Sequence, residues 1–411
     1  MNMRKSFKRF INNNFHALTH KNFRNYWIGQ CVSLIGTWMQ SMGQAWLVLT
    51  LTNSPFLLGL LGAMQFLPIT LLSLFVGVII DRYPKKKILL ITQSVSMVLA
   101  LTLALLVFTH TLRYEYILIL GVLLGITNAF DMSTRQSFMV EIVGRDDLMN
   151  AIALNSAIFN LAKILGPSIG AMIMATLGAG WCFLLNGLSF IAVIYGLVQI
   201  KVQPYVRKKK SNSILKEIKD GLKYIYKEKV LFQTVLLVSV IGIFAFNYSV
   251  LVPVLTKNVL HMQEAGYGFL MASLGVGSLL GALTVSFKSK SGPKMKVMIY
   301  SATLVAVFLF LIGFTKQYYL LAIILCVTGV FNIYFATTAN TTLQMYSTDE
   351  YRGRVMSVYS LVFAGATPVG NLFAGLASSS MGVSETFSLS GILIISFIII
   401  ICIFFRKKIK L

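Results

Sequence analysis

Residues Gly77 to Lys87 read GVIIDRYPKKK, with an apolar run on either side, Phe56 to Ile80 before it and Ile88 to Phe108 after it. Each run is long enough to cross the hydrocarbon core of a bilayer, about 30 Å thick. A short turn between two such runs that carries an acid, an arginine and three lysines stays in water at one membrane face. The turn fixes the sidedness of the chain, and the rest of the sequence is read outward from it.

The chain has 411 residues, of which 56% are hydrophobic and 12% charged; a soluble domain carries about twice that charge. Hydropathy and chain breaks predict twelve spans, at 25–50, 57–80, 87–109, 115–134, 151–177, 180–199, 231–256, 265–287, 294–314, 318–340, 354–380 and 384–405. Backbone groups in lipid must be satisfied within the segment, so the spans are helices. The expected fold is all-α integral membrane: twelve transmembrane helices in two six-helix bundles. The bundles are predicted at 25–200 and 230–405. A cytoplasmic tail (1–24), a basic linker (201–229) and a second tail (406–411) flank them.

A net charge of +23 invites a nucleic-acid reading, and its placement argues against one. With the N-terminus inside, every Lys and Arg but four falls in cytoplasmic segments. Arg113, Lys257 and Lys316 lie in outer loops and Lys163 inside a span. That asymmetry is the positive-inside rule. The loops are too short for a folded basic surface. The expected location is the inner (cytoplasmic) membrane of the cell, multi-pass, with both termini cytoplasmic. The expected partners are membrane lipids and a small-molecule substrate, with no nucleic acid, no nucleotide and a monomeric chain. Cys31, Cys182, Cys326 and Cys402 form no close pair in sequence, so no disulfide or metal site is expected.

Several spans carry polar groups. Gln30, Ser33, Thr37, Gln40, Ser41 and Gln44 are mostly three or four residues apart and form a stripe beside Trp38. Such a stripe faces protein or a water-filled cavity. The fourth span ends NAFDMSTRQSF, which sets Asp131 about one turn from the cytoplasmic end and Arg135 at i+4 on the same face. The fifth holds Asn155, Asn160 and Lys163, then GPSIGA. There Pro167 interrupts the hydrogen-bond ladder, and Gly166 and Gly170 make a small face for a close helix approach. In the linker, Ile214, Leu215, Ile218, Leu222, Ile225 and Tyr226 form the apolar stripe of a helix expected to lie on the inner membrane surface. The second half echoes the first. TPVGN at 367–371 falls on GPSIG with an offset of 201 residues (368 − 167), which implies a pseudo-twofold axis along the membrane normal.

Twelve spans in two halves, a basic central loop and GVIIDRYPKKK together resemble the major facilitator superfamily. Gly77, Asp81, Arg82, Lys85 and Lys86 match its signature after the second span, and Pro84 stands where the signature has a second glycine. GPSIGA resembles the fifth-span motif of proton-coupled exporters at Gly166, Pro167 and Gly170, with Asn160 and Ala171 in place of two further glycines. NFRNYWIGQCVSLIGTWMQ, QFLP, NAFDMSTRQSF and YRGRVMSVYSL are similar to the branch that contains the bacterial enterobactin exporter and macrolide efflux proteins.

The resemblance implies a secondary-active exporter of hydrophobic or amphipathic small molecules, of drug, macrolide or siderophore type. It would work by alternating access, driven by proton antiport, and would be neither an enzyme nor dependent on a cofactor beyond the proton gradient. Asp81 is expected against the start of the eleventh span near Ser357, with Arg82 or Lys85 pairing with Asp131. Arg352 or Arg354 would join that network. Carried onto this chain, the cavity residues are Gln30, Trp38, Gln44, Asn128, Asn155, Asn160, Lys163, Asn247, Tyr248, Asn332, Tyr334 and Asn340. An importer or lipid flippase of the same fold is the alternative, as is a membrane sensor or scaffold that no longer transports. Asp81→Asn is expected to abolish transport while the protein still inserts at wild-type level; normal transport by the well-expressed variant would rule out a gating role for this carboxylate.

Overall fold

The computed structural model describes residues 16–80, 82–144, 146–200, 214–288 and 292–405. Asp81, tail residues 1–15, linker residues 201–213 and the tail 406–411 lie outside the described residues. Everything described is helix and turn. The helices are α1 (Lys21–Thr52), α2 (Pro55–Ile80), α3 (Lys85–Phe108), α4 (Tyr114–Val143), α5 (Leu148–Leu177), α6 (Ala179–Gln199), α7 (Ile214–Lys227), α8 (Lys229–Phe244), α9 (Tyr248–Asn258), α10 (Glu264–Lys288), α11 (Met295–Phe314), α12 (Tyr318–Met345), α13 (Asp349–Met381) and α14 (Val383–Phe405). Among the described residues 11 spans are apolar enough to cross a membrane, with α8 and α9 counted as one. The twelfth, α1, is 32 residues long, and its amides lower its hydropathy.

The repeat is visible in the helix boundaries. Leu148 opens α5 and Asp349 opens α13, at the same offset as Pro167 and Pro368, each inside its helix. Both helices stop at a glycine in the left-handed region, Gly178 at φ 93° and Gly382 at φ 96°. That conformation has no Cβ penalty there.

The chain divides into two compact units, Met1–Gln44 with Leu71–Lys209 and Ala45–Thr70 with Lys210–Leu411. The division cuts α1 and α2, so residues 45–70 pack as part of the second unit.

In the first unit, Phe23, Tyr26, Leu89, Phe138, Met139, Leu154, Val193 and Leu197 form one buried cluster. Tyr26 meets Phe138 edge-on at 6.1 Å. The N-terminal segment differs from the expected surface tail. From His16 onward it folds into a short 3₁₀ turn and the start of α1, with Ala17 and Phe23 buried. The Ala17 amide donates to Asn150 Oδ1 at 3.0 Å, and His20 meets Asp147 at 2.6 Å. Burial of Ala17 and Phe23 holds the segment to the bundle.

In the second unit, α7 is the helix foreseen in the linker, and its side chains are described from Lys219 onward. It packs on α13: Ile225 is buried with Leu231, Leu343, Val355 and Val358, and Tyr224 stacks on Tyr351 at 4.4 Å. Leu222 and Tyr226 remain exposed. The seventh span is not one helix. It breaks between Phe244 and Tyr248, where Asn247 Nδ2 donates to Ile243 O at 2.6 Å. A side chain thus takes the carbonyl that the backbone ladder would use.

The expected close approach occurs at both glycines of α5. A Cβ at Gly166 would stand 3.0 Å from Ile35 O and Met39 N, and one at Gly170 would stand 3.1 Å from Met39 Cγ. In α13, a Cβ at Gly370 would meet Ile243 O at 2.6 Å, so α5 and α13 each press a glycine against the first helix of their own half. Gly166→Leu is expected to lower stability by about 1–3 kcal/mol through overpacking. Its detergent-solubilised melting temperature should fall clearly below that of Ser168→Leu, a change on the exposed face of the same helix.

Candidate transport site

The polar centre of the first unit lies on α4. Asp131 and Arg135 are one turn apart, and both nitrogens of the guanidinium's near edge meet Asp131 Oδ2, with Nε at 3.1 Å. Thr92 Oγ1 and Gln93 Nε2 on α3 donate to Asp131 Oδ1 at 2.9 and 2.7 Å. Arg135 Nη1 donates to Gln30 on α1. Five side chains from three helices therefore close one network, and Asp131 is only 6% exposed. A charge at this depth is tolerable because it is paired and hydrogen-bonded.

These contacts correct two expectations. The fourth span runs on to Val143, so Asp131 lies about three turns inside its helix. Arg135 lies within the helix, half-buried, and makes the i+4 ion pair that its spacing permits. Lys85 pairs with Glu141 at the end of α4, not with Asp131, and Arg82 is exposed. Lys86 Nζ donates to Ile200 O at 2.7 Å and to Val198 O at 3.0 Å, capping α6. Cations at a helix C-terminus complement its dipole. Gly77 has nothing within 4 Å of where a Cβ would stand. Arg352 pairs with Asp349 at 2.7 Å and Arg354 with Asp220 at 3.9 Å, so both work within the second unit.

The stripe on α1 splits into two. Gln30, Ser33, Gln40 and Gln44 are buried, whereas Thr37 and Ser41 are exposed. Gln40 Oε1 accepts from Asn186 Nδ2 of α6 at 2.7 Å, so Gln30 and Gln40 join helices. The open polar face belongs to α5: Asn155, Ser156, Phe159, Asn160 and Lys163 are partly or fully exposed, while Leu154, Ile158 and Ala162 on the other side are buried. Trp38 meets Phe159 edge-on at 5.6 Å. Asn128 is half-buried on α4.

In the second unit, Asn247, Tyr248 and Asn332 are buried, and Asn332 Nδ2 donates to Tyr248 Oη at 3.0 Å. The side-chain oxygens of Asn247, Asn332 and Asn371 are buried without a partner. Each such orphan costs about 1–3 kcal/mol. Asn340 and Tyr359 line a cleft of about 300 Å³ with Thr337 and Thr341. Tyr334 is half-buried beside Phe331. A cleft of about 750 Å³ opens at the α3–α4 turn around Thr102, His110 and Arg113, and it contains none of the expected cavity residues.

Other contacts were not foreseen. Residues 45–70 meet the rest of the second unit through backbone-close glycines: a Cβ at Gly375 would stand 2.9 Å from Pro55 O, and one at Gly62 would stand 2.7 Å from Asn371 Nδ2. The small residues of LLGLLGA at 57–63 were the available signal. Lys257 Nζ donates to Leu49 O at 3.0 Å and to Asn53 Oδ1 at 2.6 Å, which caps α1. Trp46 stacks on Tyr267 at 5.9 Å.

A family model described as transmembrane secretion effector matches residues 12–410. The chain belongs to that family. This secretion-effector chain is 28% identical over 382 residues to the staphyloferrin A transporter of Staphylococcus aureus, covering 92% of this chain and 94% of the relative. It is 22% identical over 386 residues to macrolide efflux protein A of Streptococcus pyogenes, covering 92% and 95%. Its fold is similar to that of the nucleoside transporter NupG, with a TM-score of 0.74, 12% identity and coverage of 94% and 100%. The fold is the major facilitator fold, and the family is one of multi-pass efflux transporters, not of enzymes.

Asp131→Asn leaves the half-buried Arg135 without its counter-charge, so thermal unfolding should report a loss that approaches the ~3–5 kcal/mol of a broken buried pair. Asp131→Asn with Arg135→Gln should recover part of it; a double variant no more stable than the single would show that the pair is not the source.

Proposed function

We propose that this secretion-effector protein is a secondary-active exporter of hydrophobic or amphipathic small molecules. It works by alternating access in the cell membrane, with both termini cytoplasmic and protons as the counter-ion. The observation that carries the reading is the course of α1 and α2. Both belong by sequence to the first half, yet residues 45–70 pack with the second unit. A transporter that rocks needs contacts of this kind, made in one state and released in the other.

The chemistry of those contacts suits repeated making and breaking. The Lys257 cap on α1 is made of two hydrogen bonds, and the Gly59–Gly375 crossing rests on shape. The export direction rests on GPSIG in α5 and on relatives named for efflux or siderophore transport. The sidedness rests on the lysines and arginines of the loops. The open groups on α5 and in the Asn340–Tyr359 cleft are amides, hydroxyls and aromatic rings. Such a lining recognises a bulky, mostly apolar molecule with a few polar groups.

Expression in efflux-deficient bacterial cells should lower the accumulation of at least one of a macrolide, a lipophilic cationic dye and a catecholate siderophore. A protonophore should restore it. Lowered accumulation that persists with the protonophore would remove proton coupling, and a rise in accumulation would favour import.

A further inference from the structure

Lys163 stands midway along the 30-residue α5, roughly 20 Å along the axis from either end. A lysine side chain cannot span that distance, so snorkelling does not bring its ammonium to an interface. Among the described residues no carboxylate pairs with it. The described acids of the first unit are engaged elsewhere or lie at helix ends and in loops: Asp131 with Arg135, Glu141 with Lys85, Asp147 with His20, and Glu115 and Asp146 at the ends of their segments. A cation at membrane depth with no counter-charge among the described residues marks a place for one from outside.

The side of α5 that carries Lys163 is set by its neighbours. Phe159, one turn before, meets the Trp38 ring, and Gly166, three residues after, packs on the backbone of Ile35 and Met39. Residues 159, 163 and 166 share one helix face, so Lys163 looks toward α1 and not toward lipid. Asn160 places one of its two amide N–H groups on Ser156 O at 2.9 Å within α5, and the ammonium is the charged donor on this face. The surroundings are one cation, two aromatic rings and a few amides and hydroxyls.

We propose that Lys163 is the counter-charge for a single anionic group, a carboxylate, on an amphipathic substrate whose apolar body packs against Trp38 and Phe159. The proposal rests on the exporter reading and adds to its substrate class organic monoanions with an apolar body. One lysine without an arginine fork balances a single negative charge and not a clustered polyacid.

The test uses the full-length protein in lipid nanodiscs, titrated with 1-pyrenebutyrate and with its uncharged methyl ester, with empty discs subtracted. Wild type should bind the acid at least tenfold more tightly than the ester. Lys163→Gln should lose that preference, Lys163→Arg should keep it, and both variants should melt near wild type. Equal binding of acid and ester by wild type, binding of neither, or a preference kept by Lys163→Gln would each overturn the proposal. Transport by the same proteins in proteoliposomes separates the two readings. A Lys163-dependent preference without transport leaves the anion site and removes the exporter. Transport of a neutral compound that is unchanged by Lys163→Gln, with no preference in binding, removes the anion site and leaves the exporter.

Discussion

Hydrocarbon offers no hydrogen-bond partner, and that single constraint sorts most of the described polar groups within the spans. A buried amide or charge must find its match inside the chain or face water and substrate. Asp131 finds Arg135, Thr92 and Gln93, and Arg135 finds Gln30. Gln40 finds Asn186, and Tyr248 finds Asn332. These matches fix which helices neighbour which. On the exposed face of α5 and in the cleft at Asn340 the matches are local, Asn160 to Ser156 O and Gln344 to Asn340, each within one helix.

Backbone proximity supplies the second kind of order. Where the solvent has no water to expel, helices hold together by close packing. Gly166 and Gly170 bring α1 onto α5, and Gly370 brings the broken seventh span onto α13. The same device recurs one repeat later, with a proline in the same register in both helices. A duplicated six-helix plan explains why one offset relates a loop, a proline and a helix start. The break at Asn247 is where the second copy departs from the first, because an amide there captures a backbone carbonyl.

The charges outside the spans serve at helix ends. Lys86 caps α6, Lys85 holds the end of α4 through Glu141, and Lys257 caps α1. The signature motif is therefore wired into its own bundle by two of its lysines. In the second unit Arg352 and Arg354 serve α13 and α7 in a similar way. Most of these charge contacts stay within one half of the chain, and the Lys257 cap on α1 is the one named here that joins the two.

The sequence by itself determined the membrane class, the twelve spans, the two halves and their 201-residue repeat. Hydropathy, loop charge and glycine–proline spacing are local properties, and lipid enforces them strongly. It also pointed to the glycine face of α5, because small residues at four-residue spacing have few other uses in a span. Apart from the i, i+4 pair of Asp131 and Arg135, which the spacing already permits, tertiary structure alone decided which polar residue meets which. A stripe read from α1 shows periodicity and not partners, so Gln30 and Gln40 could not be told from Thr37 and Ser41 before α4 and α6 were in place. Asp131 was placed near a membrane face because hydropathy falls at Arg135, and the ion pair that lets the helix run on to Val143 is invisible to a hydropathy window. The assignment of residues 45–70 to the second unit lay beyond the sequence for the same reason: it rests on contacts between residues some 200 to 320 positions apart.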